Sequence, residues 1–137
     1  MSVVLVRVTA VGGAVGTVVA AFGLPWVWYG DMAVRLTEFP GWAGYAGAAV
    51  LFHVLTGWAV AEPRRRGWLP LVAGGVGVVT VVAAVVVMAD YAEVFLGPLV
   101  PAVRPSLGPG GPVAVLAALV SLAAVAAARS LRFSRSR

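Results

Sequence analysis

The chain contains no cysteine, and it also lacks lysine, asparagine, glutamine and isoleucine. Without cysteine, thiol and disulfide exchange, cysteine metal sites and covalent c-type haem attachment are excluded. Charge is scarce: 11% of residues are charged and 61% are hydrophobic, against about 25% and roughly 45–50% in a soluble domain. A water-soluble fold built from these 137 residues would lack the polar surface to cover itself. The expected solvent is therefore the bilayer. Four spans of about 20 residues would account for roughly 80 of them.

All ten cations are arginine. Codons for the missing residues are AT-rich and those for the abundant Ala, Val, Gly, Pro and Arg are GC-rich, which points to a high-GC bacterial genome. A net charge of +5 with a pI near 11.1 can signal nucleic-acid binding. Here, however, the arginines flank apolar runs and line no polar face, so no nucleic-acid partner is expected.

Four apolar segments stand out: Val3 to Leu24, Gly41 to Ala61, Trp68 to Ala89 and Gly111 to Ala128. None carries Asp, Glu or Lys, and Arg7 alone enters one, near its start, where its stem can snorkel to headgroups. The runs do not alternate as barrel strands would, so helices are the way to satisfy their backbones in lipid. The expected fold is all-α: a four-helix integral membrane bundle forming a single domain over 1–137, with residues 129–137 as a basic tail. The first segment is long for a signal h-region, and Leu24-Pro25-Trp26 is a poor small-residue cleavage site, so it is expected to be retained.

The arginines also set the expected orientation. Arg7, Arg64, Arg65, Arg66, Arg129, Arg132, Arg135 and Arg137 fall on one side, and only Arg35 and Arg104 on the other. The positive-inside rule then places both termini in the cytoplasm of a bacterial cell, with the chain in its cytoplasmic membrane. The tail arginines would also attract anionic lipid.

In the first outer loop Asp31, Arg35 and Glu38 recur at i, i+4 and i+7, with Met32, Leu36 and Phe39 one residue later. That spacing suits an interfacial helix over 30–39; a plain connector is the alternative. The second outer loop, with Pro98, Pro101, Pro105, Pro109 and Pro112, cannot sustain a helix and is expected as an extended cap or a tether. Trp26, Trp28, Tyr29 and Trp42 gather at the outer boundary, as an aromatic belt does.

Small residues stripe the segments: Gly12 with Gly16, Gly13 with Thr17, Ala73 with Gly77, Ala114 with Ala118, Ala117 with Ser121, and Gly41, Gly44 and Gly47 in steps of three. In lipid, close approach through small side chains is a principal source of helix association. These are expected contact faces, within the bundle or against a partner. His53, the one histidine, lies 12 residues past Gly41, near mid-span at about 1.5 Å per residue. An ionisable group there is a functional candidate, as a shared haem ligand, quinone donor or proton relay; a neighbouring helix or Thr56 can equally satisfy it as a structural residue.

An initial Gly- and Ala-rich apolar segment ends in Leu24-Pro25-Trp26-Val27 and is followed by a short outer loop. A second span, an arginine turn before Trp68, and two further spans complete the chain. This layout resembles small four-span membrane proteins of actinobacteria, including those called tryptophan-associated membrane proteins. The resemblance implies topology; the family has no established activity, so it implies no catalytic residue. No intramembrane carboxylate, phosphate loop or metal cluster is present in the sequence. The expected function is thus a non-enzymatic accessory or scaffold subunit, without cofactor or metal, packing against lipid and against another membrane protein or its own copy. An oligomeric transporter or channel for an uncharged or lipophilic solute, and a haem- or quinone-binding anchor using His53, are the alternatives.

Overall fold

The computed structural model describes residues 2–61, 67–89 and 105–133, with side chains to residue 130. Helix α1 (Val3–Val18) runs into a wider π-helical turn, Val19–Gly23. Strands β1 (Val27–Tyr29) and β2 (Met32–Val34) and a single 3₁₀ turn (Leu36–Glu38) precede α2 (Trp42–Ala61). Helix α3 (Leu69–Ala89), strand β3 (Ser106–Leu107) and helix α4 (Gly110–Phe133) follow. Among the described residues, four helices are long and apolar enough to cross a membrane.

These helices are apolar all round, the composition of a membrane span or of a fully enclosed helix. Their outward faces carry Val8 and Val15 on α1, Val50 and Val54 on α2, Val78 and Val82 on α3, and Leu116 and Leu119 on α4, all exposed. The buried polar side chains Thr17, Thr56, Thr80 and Ser121 point inward. Polarity is inverted relative to a bundle that folds in water. Helix α4 packs on α1, α2 and α3, and α2 also packs on α3 and α1. At the N-terminus Ser2 caps α1, its Oγ accepting from the Leu5 N–H at 3.3 Å. At the other end α4 runs on past residue 128 to Phe133, because Arg and Leu are good helix formers and nothing in Arg129–Phe133 stops a helix.

Over 30–39 the structure departs from the expected interfacial helix. Val27–Tyr29 and Met32–Val34 form an antiparallel hairpin, and β3 pairs on the other edge of β1, giving the order β2-β1-β3. The fold is therefore mostly helical rather than purely so. Tyr29 pairs with Met32 across Gly30 and Asp31; Gly30 has φ +58, and among the described residues no non-glycine residue has positive φ. A two-residue loop with glycine first is a type II′ hairpin turn, whose twist matches that of the strands. The apolar stripe read from helical spacing is split: Met32 is 61% exposed, whereas Leu36 and Phe39 are 1% and 3% exposed. Asp31, Arg35 and Glu38 all stay at the surface.

The sheet lies at the end of the bundle where α1 stops and α4 starts, and Trp26 locks it there. Pro25 has no N–H to continue α1, and Leu24 before it is extended (φ −114, ψ 143), as a residue preceding proline tends to be. The freed Ala20 carbonyl instead accepts from Trp26 Nε1–H at 2.9 Å. The Trp26 backbone N–H donates to the Val34 carbonyl (2.9 Å), and its carbonyl accepts from the Gly108 N–H (2.8 Å). The Gly110 N–H donates to the Pro25 carbonyl at 2.9 Å. A Cβ on Gly108 would strike the Pro25 carbonyl, and one on Gly110 the Trp26 ring. Trp26 itself is 1% exposed and meets Tyr45 edge-on, with centroids 5.5 Å apart.

Candidate functional site: a polar layer at mid-bundle

Every helix contributes a buried or half-buried polar side chain within a turn or so of its midpoint: Thr17 from α1, His53 and Thr56 from α2, Thr80 from α3 and Ser121 from α4. In hydrocarbon these groups gain most by turning inward, because lipid offers no hydrogen bonds. His53 Nε2 lies 2.9 Å from Thr17 Oγ1, tying α2 to α1. Thr17 Oγ1–H donates in turn to the Gly13 carbonyl at 3.0 Å. The partner of His53 is thus on a neighbouring helix; Thr56 makes no hydrogen bond to it. Thr80 donates to the Val76 carbonyl one turn back at 2.9 Å.

Two of the small-residue stripes face each other across this layer. Gly13 on α1 lies against Ser121 and the Ala117 carbonyl of α4, so closely that a Cβ would collide with the Ser121 hydroxyl. A Cβ on Gly16 would meet Ala117 Cβ at 3.1 Å. On α3, a Cβ on Gly77 would sit 2.5 Å from Leu122 and 2.6 Å from Phe52. Ala73, Ala114 and Ala118 are buried in the same interior. By contrast, a Cβ on Gly12, Gly44 or Gly47 would meet nothing within 4 Å. Those three belong to outward faces.

The aromatic belt is likewise divided. Trp28 and Trp42 are exposed and Tyr29 is half-buried, but Trp26 is an interior residue of the cap. Arg129 is exposed near the end of α4. Arg132 belongs to the backbone of that helix, while Arg64, Arg65, Arg66, Arg135 and Arg137 lie outside the described residues, as does most of the second outer loop.

Chemically, the layer offers hydroxyls and one imidazole. Among the described residues no group of three His, Cys, Asp or Glu side chains comes together to hold a metal ion. In this packing one ring nitrogen of His53 is engaged by Thr17 and the other is buried, so neither faces a group outside the bundle. Ser121 was legible as part of a small-residue stripe, and Thr56 as a possible partner of His53, a hydrogen bond the structure does not form. That Gly13 and Ser121 meet required the pairing of α1 with α4, which spacing does not specify. In comparisons with protein-family models, curated proteins and solved structures, nothing matches this chain.

Proposed function

We propose that this chain is a non-enzymatic, multi-pass protein of a bacterial cytoplasmic membrane, acting as an accessory or scaffold subunit. Its outward small-residue faces dock against another membrane protein or a second copy of itself. The observation that carries this reading is the contrast among the glycines. Gly13, Gly16 and Gly77 are filled by neighbours within the bundle, whereas Gly12, Gly44 and Gly47 have open space where a side chain would stand. On α2 the exposed residues Ala43, Gly47, Val50, Val54, Gly57 and Ala61 recur in alternating steps of four and three. A flat seam of that kind lets a second helix approach closely, and in lipid such approach drives association.

The arginine asymmetry supports cytoplasmic termini, and the resemblance to actinobacterial four-span proteins agrees with that topology. His53 acts in this reading as a structural tie. The alternative uses, haem or quinone attachment, need a ring nitrogen directed out of the bundle.

Purification from the native host in mild detergent tests the proposal. A stoichiometric partner or a defined homo-oligomer is expected, and Gly47→Leu should disperse it while leaving the monomer's unfolding unchanged. A strictly monomeric species in lipid nanodiscs, with no partner retained, would contradict it.

A further inference from the structure

The polar side chains of the mid-bundle layer are of two kinds. Thr17 and Thr80 return their protons to a carbonyl one turn back, a common arrangement for hydroxyls in helices. Thr56 Oγ1, Ser121 Oγ and His53 Nδ1 are buried and meet no hydrogen-bonding group of the protein. Thr56 and Ser121 are 2% and 0% exposed. Buried polar atoms in native proteins are nearly always paired, with the protein or with ordered water.

The proton inventory fixes what is missing. The Gly13 carbonyl can only accept, so the Thr17 proton goes there and the Thr17 oxygen accepts from His53 Nε2–H. Nδ1 is then a bare lone pair that needs a donor. Thr56 stands three residues along α2, and side chains at that spacing share a face, with Cβ atoms about 5–6 Å apart. One molecule of water would span such a gap: donating one hydrogen to Nδ1 and accepting from the Thr56 hydroxyl, it would keep its second hydrogen for an acceptor on α4, whose unpartnered oxygen in this layer is Ser121 Oγ. Buried waters typically make about three hydrogen bonds in polar surroundings, whereas apolar cavities stay dry.

We propose that a structural water is bound inside the bundle between His53 Nδ1 and Thr56 Oγ1, within the layer to which Ser121 contributes. This site is independent of the docking proposed above, since all three atoms face inward.

The sole histidine makes the test site-specific. In the full chain labelled with ¹⁵N-histidine and placed in lipid bilayers, solid-state NMR gives two ring signals, both from His53. The expected spectrum has a protonated Nε2, an unprotonated Nδ1 displaced from the free-imine position by hydrogen bonding, and magnetisation transfer from water to Nδ1. Thr56→Val keeps the side-chain shape and removes the hydroxyl. It should lower that transfer several-fold while the Nε2 signal, which reports the Thr17 tie, stays in place. A protonated Nδ1, or a free-imine Nδ1 with no transfer from water, overturns the proposal. Undiminished transfer in Thr56→Val overturns the bridge. If that variant does not fold, the spectrum of the unaltered chain decides alone.

Discussion

The sheet cap and the helical bundle are held together by opposite means. In the cap, backbone hydrogen bonds and one large side chain carry the structure. Trp26 and Pro25 link the end of α1, both neighbouring strands and the start of α4, and burial alternates along β1 from Val27 to Trp28. In the bundle, the outward faces are apolar while hydroxyls turn inward, and order comes from small residues and those hydroxyls. The difference teaches where specificity resides. In the proposed membrane setting, a cap that meets water can use the hydrophobic effect, whereas helices in lipid must use shape and polar ties.

That comparison can be broken most severely at Trp26. Trp26→Ala removes the indole, its bond to Ala20 and its contact with Tyr45, and should cost about 3–5 kcal/mol, as large aromatic truncations do. Chemical denaturation in detergent micelles measures the loss; a change below about 1 kcal/mol would remove Trp26 from its place as the lock. Next comes Gly13→Val, which drives a side chain into Ser121 and the Ala117 carbonyl. Overpacking of this kind costs about 1–3 kcal/mol. The matched variant Gly12→Val adds its side chain to open space and should shift stability by less than about 0.5 kcal/mol. Equal effects at the two adjacent glycines would mean that α1 does not present this face to α4. A loss smaller than those at Trp26 and Gly13 is expected for Thr17→Val, which removes the tie to His53. Interhelical hydrogen bonds in membranes average about 0.6 kcal/mol, so the same unfolding assay should register a loss of that order.

The four helices were legible because long apolar runs without acids leave no other structure in lipid; their observed ends differ from the expected ones by a residue or so, except at α4. Helix α4 continues beyond the expected span, because a drop in hydropathy at Arg129 ends a span, not a helix. The cap was misread for a different reason. Asp31, Arg35 and Glu38 fall at helical spacing by coincidence, while Gly30-Asp31 between Val27-Trp28-Tyr29 and Met32-Ala33-Val34 is a hairpin signal. The third strand, Ser106–Leu107, comes from far along the chain, and no local pattern announces such a pairing. The belt reading failed at Trp26 because composition does not distinguish a ring anchored among headgroups from one buried beneath a sheet. In the polar layer, His53 was visible as a mid-span titratable group. Its partner on α1 depended on helix packing that the small-residue stripes leave open.

The proposed membrane setting requires hydrocarbon around the valine-rich outward faces of these helices. Because the chain has no cysteine, a single spin-labelled cysteine placed at Val8, Val54, Val82 or Leu116, all exposed, reports on one outward position at a time in lipid bilayers. Ready collision with dissolved oxygen and protection from a water-soluble nickel chelate are expected at all four positions. Free access of the chelate to them would contradict that setting.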